Sequence, residues 1–236
     1  MQRFYLEDLN TVNFNFILKN KDLIHQLSRV LRSKIWDKIV FFDGKDNFDY
    51  IFEIKEILKT EIILEQVDRI EKNTEIDFEI NLFQAIPNKM DKIESIIKNW
   101  TQIWVSNFLF FKAERSQKLN ISDKKIERLR KIILEASEQS ERNSVPGLII
   151  WEKPNFLNLQ WKNIFMHTKN NDSKLLKEIE VNSWDIINLF VWPEGGFCED
   201  EIWKFGKNNF INLYLWERIL RTELAWVSVS FSLIQK

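Results

Sequence analysis

Glycine is scarce in this chain, with five residues among 236 where about 7% is usual. A chain of this length meets many turns that require a positive φ or a close backbone approach, and glycine is the residue that adopts them without strain. The single cysteine, Cys198, excludes an internal disulfide, and with only His25 and His167 beside it there is no zinc or iron–sulfur ligand set. No metal is therefore expected. No apolar run approaches the roughly 20 residues of a membrane-spanning helix, and the opening Met1-Gln2-Arg3-Phe4 lacks the apolar stretch of a secretory signal. A soluble cytoplasmic protein with no membrane partner is the expectation. Neither charge sign dominates, since 34 Lys and Arg face 35 Asp and Glu for a net charge of -1. With 44% hydrophobic residues the chain is not of the disordered class, and it is long enough for one large or two small domains. Tryptophan is abundant instead, with ten residues, and the 22 Asn and four Ala match the codon usage of an AT-rich genome.

The first seventy residues read mostly as strands. Phe48 to Lys55 carries apolar side chains at period two behind the turn signal Asp43-Gly44, and Lys38 to Phe42 and Glu61 to Gln66 are similar. Asp22 to Arg32 places Leu23, Leu27, Val30 and Leu31 at helical spacing, which inserts one helix into a small barrel-like β module. The polar stretch Asp68 to Asp77 is the linker candidate and sets a division into residues 1–72 and 73–236. Beyond it strands and helices alternate: Ile80 to Ala85, a helix over Asp91 to Ile103, Val105 to Phe111, a helix capped by Ser122 and running to Ser140, then strands at Asn163 to His167, Ile186 to Val191 and Ile211 to Leu215. Such alternation predicts an α/β domain with a mostly parallel sheet covered by helices.

In open α/β sheets ligands bind at the carboxyl ends of strands, and the last two strands each end in an unusual loop. Trp192-Pro193-Glu194-Gly195-Gly196 precedes the acidic helix start Glu199-Asp200-Glu201. It reads either as backbone free to approach a ligand or as a plain strand-to-helix turn. Leu215-Trp216-Glu217-Arg218-Ile219-Leu220-Arg221-Thr222-Glu223 gathers two arginines and two glutamates, as a binding loop or as a structural ion-pair cluster. Two segments are basic: Lys19 to Lys38 has six basic and two acidic residues, net +4, and Lys112 to Lys131 has eight and three, net +5. Each suits a phosphate footprint or a solvated helix face.

Pro193-Glu194-Gly195-Gly196 followed by Arg218-Ile219-Leu220-Arg221-Thr222-Glu223-x-Ala225 resembles the signature of the RsmE family of 16S ribosomal RNA (uracil-N3)-methyltransferases, of the SPOUT knotted class. In the same order stand Arg3-Phe4, His25-x-x-x-Arg29-Val30-Leu31-Arg32, Pro87 with Lys98 and Thr101, Glu114-Arg115-Ser116, and Glu138-Gln139-Ser140-x-Arg142-x-x-x-Pro146, so the resemblance spans nearly the whole chain. It implies a PUA-like N-terminal β-barrel that helps bind RNA, residues 1–72, and a SPOUT α/β domain with a trefoil knot, residues 73–236. It also implies a homodimer, S-adenosylmethionine as cofactor, and methylation of N3 of one uridine in 16S rRNA of the small ribosomal subunit. Carried onto this sequence, the cofactor-binding residues are Trp192, Pro193, Glu194, Gly195, Gly196, Leu215, Trp216, Ile219, Leu220, Arg221 and Thr222.

Transfer to uracil N3 needs in-line positioning and removal of the imide proton. Arg115, Arg221 and Glu223 are the catalytic candidates: arginine stabilises the uracil oxyanion, and the carboxylate orients or accepts the proton. His25, Arg29, Arg32, Lys34, Arg128 and Arg142 are the RNA-binding candidates; for Arg115 and Arg142 a salt bridge fits as well as a phosphate contact, and for His25 a structural role fits as well. One departure from the family is patterned. Trp36, Trp100, Trp104, Trp192 and Trp216 stand where the family carries glycine, and Trp184 and Trp226 also occupy positions suited to it. Either UGA codons are read as glycine in the source, or these are genuine aromatic residues and the pocket has diverged. The second option leads to an alternative function, a noncatalytic RNA-binding or assembly protein that keeps the fold without the cofactor. A knotted methyltransferase of transfer RNA is disfavoured by the N-terminal module and the Arg-Ile-Leu-Arg-Thr-Glu string.

Overall fold

The computed structural model describes residues 1–7, 9, 15–113, 120–151, 159, 161–166, 173–191, 198–214 and 222–234, with 222–226 in backbone only. The contacts divide them into two units. One comprises Met1–Glu75 and Ser137–Val145, the other Ile76–Ala136 and Pro146–Lys236.

In the first unit the strands are β1 (Arg3–Tyr5), β2 (Asn15–Leu18), β3 (Lys38–Phe42), β4 (Phe48–Ile57) and β5 (Ile62–Glu71), in the order β1-β3-β4-β5-β2. Alternation in β3 and β4 turns Ile39, Phe41, Phe52 and Ile54 onto one face, where they join Phe4, Leu18, Leu27, Ile62 and Leu64 in a buried core. The Asp68–Asp77 stretch read as a linker is in part strand, because β5 continues to Glu71 opposite Phe48. Helix α1 (Lys21–His25) starts at Asn20, whose side chain accepts from the amides of Asp22 and Leu23. It continues over Gln26–Val30 as a wider turn in which the Leu31 amide bonds the Gln26 carbonyl.

The second unit is a seven-stranded sheet in which every pairing is parallel: β6 (Glu79–Ala85), β7 (Asn107–Phe111), β8 (Gly147–Trp151), β9 (Lys162–Met166), β10 (Lys174–Leu175), β11 (Ile186–Val191) and β12 (Ile211–Tyr214), ordered β10-β12-β9-β11-β6-β7-β8. Helix α2 (Met90–Thr101) buries Ile93, Ile97 and Trp100, at i, i+4 and i+7, and α3 (Asp123–Gln139) buries Leu129, Ile133 and Ala136. Helices α4 (Glu199–Lys207) and α5 (Thr222–Ile234) follow β11 and β12. The apolar core around Phe83, Phe165, Phe190, Phe205 and Phe210 packs through rings, with Phe83 stacked on Phe190 at 4.5 Å between centroids.

A ladder of asparagines crosses this sheet near the amino ends of its strands. Asn107 donates to Asn81 at 2.8 Å, Asn81 to Asn188 at 3.1 Å, Asn188 to Asn163 at 2.8 Å, and Asn163 to the Leu159 carbonyl at 3.2 Å. The paired asparagines are register partners, so the relay closes in one alignment of the strands alone. At its end Gly147 faces Asn107, and a Cβ there would meet the Asn107 Oδ1 at 2.4 Å. The ladder aligns the strand ends opposite it, where Ala85, Phe111 and Trp151 are register partners.

Candidate active site and RNA interface

Because β6, β9, β11 and β12 run parallel, their carboxyl ends share one edge of the sheet. β11 lies between β9 and β6, so the chain turns to one side after β6 and to the other after β11; such a switch point opens a crevice beyond the strand ends. The loop after β11 (192–197) and the loop after β12 (215–221) leave this edge with one strand, β9, between their origins, about 10 Å apart by strand spacing.

Most of the predicted site residues lie in those loops and outside the described residues: Trp192, Pro193, Glu194, Gly195, Gly196, Leu215, Trp216, Ile219, Leu220 and Arg221, together with Arg115 after β7. Thr222 and Glu223 open α5. At the same edge the described chain contributes Gln84, buried at the end of β6 with its amide on the Ala85 carbonyl at 2.8 Å, and Asn88 in the turn into α2. The Asn88 Oδ1 is buried and accepts no hydrogen bond from the described residues. An orphaned acceptor there suits a donor arriving from a bound group, and sequence reasoning passed over it. Its only signal was a polar residue directly after the Ile86-Pro87 strand exit. Beyond β11, α4 begins with Glu199, Asp200 and Glu201, and the Glu201 carboxylate accepts from the Cys198 amide at 2.9 Å.

The RNA-binding candidates separate into two classes. His25, Arg29, Arg32 and Lys34 are not buried in the first unit, and neither are Lys19, Lys21 and Lys38 of the same segment. A cleft lined by Gln2, Leu31, Ser33, Asp37, Lys38 and Ile39 runs beside them. Arg128 is exposed on α3 with its guanidinium 2.8 Å from Glu94 in the second unit. Arg142 differs: only 3% exposed, it holds the Glu75 carboxylate through Nε at 3.2 Å and Nη2 at 2.6 Å, and it also donates to the Ser144 hydroxyl. This is the salt-bridge reading of Arg142, and its donors are turned inward rather than to a phosphate. Burial pushes the Glu75 carboxyl up, but the bond and charge of Arg142, with the bonds of Ser144, outweigh it and hold the group below the usual carboxylate range. Around it, Arg3 bonds Asp49 at 2.8 Å and the Tyr5 amide donates to Glu138 at 2.9 Å, so the segment 137–145 is built into the first unit.

Among the described residues no group of three His, Cys, Asp or Glu side chains could hold a metal ion, and no described helix is long and apolar enough to cross a membrane.

Residues 74–234 match the RNA methyltransferase domain family. The chain is 34% identical over 236 residues to the ribosomal RNA small subunit methyltransferase E of Buchnera aphidicola, covering 95% of this chain and 89% of that one. To the protein of the same name from Bacillus subtilis it is 29% identical, over 86% and 83%. The crystal structure of a ribosomal RNA small subunit methyltransferase E from Neisseria gonorrhoeae bound to S-adenosyl methionine superposes with a TM-score of 0.83 at 27% identity, over 99% of this chain and 96% of that one. A Legionella pneumophila methyltransferase in complex with the same cofactor gives 0.83 at 25%, with the same coverage. With the family model matched over residues 74–234 and a relative 34% identical over 95% of this chain, the protein, with its parallel sheet and switch point, belongs to the RNA methyltransferase family, among the ribosomal RNA small subunit methyltransferases E.

Proposed function

We propose that this protein transfers a methyl group from S-adenosylmethionine to N3 of a uridine in 16S rRNA of the small ribosomal subunit, as a cytoplasmic homodimer. In this reading residues 1–72 act as a PUA-like, RNA-binding β-barrel, and residues 73–236 as a SPOUT domain whose chain is knotted near the two loops. The observation that carries it is the parallel placement of β11 and β12 on either side of β9, which launches both signature loops from one edge of the sheet. The residues there suit the cofactor: two loop origins about 10 Å apart and, on the same edge, the buried Asn88 acceptor that no described residue satisfies.

S-adenosylmethionine, when bound, supplies an electrophilic methyl carbon on a sulfonium. The protein's part is placement and proton handling. Trp192, Pro193, Glu194, Gly195, Gly196, Leu215, Trp216, Ile219, Leu220, Arg221 and Thr222 would hold the cofactor, largely through main chain. Uracil N3 lies on the Watson–Crick edge and carries a proton, so the uridine must be unpaired or extruded before reaction. Arg115 and Arg221 stabilise negative charge on the uracil oxygens, and Glu223 orients or accepts the N3 proton. The basic segment Lys19 to Lys38 carries RNA phosphates, and Val227 and Phe231, exposed on α5, suit a face covered by the second subunit.

The test is to incubate the protein with S-adenosylmethionine and small subunits lacking the modification, then digest the 16S rRNA and locate added methyl groups by mass. One uridine gaining a methyl at N3 is the expected result. Methylation of transfer RNA alone, or of no RNA by the W192G/W216G variant as well, rejects the reading.

A further inference from the structure

Among the described residues seven that are not glycine have φ in the left-handed region, and four of them are tryptophan: Trp36 (φ 76), Trp104 (φ 60), Trp161 (φ 89) and Trp184 (φ 69). Positive φ is met in a few per cent of non-glycine residues, mostly Asn and Asp, and is an outlier for a bulky side chain. Of the ten tryptophans, all but Trp192 and Trp216 lie in the described residues. At that frequency the remaining eight should supply fewer than one case. The described glycines supply only Gly44 (φ 72), so left-handed backbone in the described chain is held four times by the largest residue type and once by the smallest.

The local hydrogen bonds name the conformations. The Asp37 amide bonds the Lys34 carbonyl, which closes a four-residue turn with Trp36 third; the Asp185 amide bonds the Asn182 carbonyl, with Trp184 third in the same way. A positive φ at the third residue belongs to turn types that call for glycine or asparagine there. At the end of α2 the Val105 amide reaches back to the Trp100 carbonyl. This closure puts the residue before Val105 in the left-handed position where helices commonly end on glycine. The end of α4 repeats it with Phe210 to Phe205 and Asn209 (φ 57), a residue that tolerates the conformation. Burial does not account for an indole at three of these places: Trp36, Trp161 and Trp184 are 67%, 60% and 85% exposed. By contrast Trp100 and Trp226, which the sequence also marked as suited to glycine, stand with Trp151 and Trp203 in regular helix or strand, so the backbone angles give no support for glycine at those two positions.

We infer that positions 36, 104, 161 and 184 are glycine in the protein its source makes, because that source reads UGA as glycine, and that the tryptophans there come from reading those codons as tryptophan. The excess of tryptophan and the deficit of glycine are then one fact. The inference stands on backbone angles and composition and does not depend on the reaction proposed above. It implies that the source carries a glycine-accepting transfer RNA with an anticodon complementary to UGA. It also extends by sequence pattern to Trp192 and Trp216, which would give both cofactor loops a glycine at their mouths.

The experiment is peptide mass mapping of the protein purified from its source, together with the codons of its gene. Glycine masses at the four positions over UGA codons, with a tryptophan mass at 151 as internal control, are expected. A tryptophan mass, or a UGG codon, at any of the four overturns the inference. Independently, the recombinant chain carrying W36G, W104G, W161G and W184G should melt at a higher temperature than the chain with four tryptophans, while W151G, which removes a ring packed on Phe83, should melt lower. A quadruple variant that melts lower overturns it as well.

Discussion

Arg142 shows how a single residue changes its meaning with its surroundings. In sequence it is one arginine within a family-like string; in the folded protein its buried guanidinium grips Glu75, 67 positions earlier in the chain. Truncating one partner of a buried pair leaves an uncompensated charge, so R142A or E75A should lower the stability of the first unit by about 3–5 kcal/mol, read as a shift of the urea midpoint. The same pair sets a pH dependence. The Glu75 carboxyl is held low in the folded protein, so its contribution is present above the unfolded value near about 4.3 and is lost as pH falls through the folded value. Urea melts from pH 6 downward should therefore show stability constant at first and then declining below about pH 4, and E75Q should flatten that decline. An unchanged decline in E75Q would assign it to other carboxylates.

At the scale of elements, the asparagine ladder decides the register of four strands. The signal was present in sequence: Ile80-Asn81-Leu82-Phe83, Ser106-Asn107-Phe108-Leu109, Lys162-Asn163-Ile164-Phe165 and Ile187-Asn188-Leu189-Phe190 each place asparagine ahead of two apolar residues. It was illegible because an asparagine within a strand reads as a weak strand former unless the neighbouring strand is known. Asn188 both receives from Asn81 and donates to Asn163. N188A should therefore cost about 1–3 kcal/mol for each amide left unpaired, with the urea midpoint lowered and the slope unchanged. G147A should destabilise too, since its Cβ would press on Asn107 Oδ1. Where the apolar period was clear the elements follow it closely: Lys38–Phe42 and Ile186–Val191 are strands with the expected bounds, α2 starts one residue and ends two residues earlier than expected, and α3 starts directly after Ser122 and ends one residue earlier. Strand β8 is hard to read in sequence because Leu148-Ile149-Ile150 is short and follows a turn rich in Asn, Ser and Pro.

For the whole molecule, the proposed reaction makes two separable demands, cofactor and RNA. If Trp192 and Trp216 occlude the cofactor loops, the W192G/W216G double variant should bind S-adenosylmethionine in calorimetry more tightly than the parent chain, with RNA affinity unchanged. Reversing the charge of Arg29, Arg32 and Lys34 should do the opposite. It should weaken RNA binding and lower the dependence of log affinity on log salt by about 0.7–0.9 for each phosphate no longer neutralised, leaving cofactor affinity intact. A salt slope that does not move would show that this segment faces solvent alone.

Residue types and their periods were enough to mark the elements with a clear apolar period, though not β1, β2, β8 or β10, and to show that the second unit alternates between strand and helix and that two loops of signature composition follow its last strands, because these depend on local burial patterns and short motifs. Only the tertiary structure decided that residues 137–145 fold with the first unit, that Arg142 faces Glu75, and that β11 inserts between β6 and β9 so that both loops leave one edge. Each of these joins positions tens of residues apart. Strand order and ion pairing at that separation are chosen by which arrangement buries the apolar faces and satisfies the buried amides together, a condition on the folded whole that no stretch of sequence carries by itself.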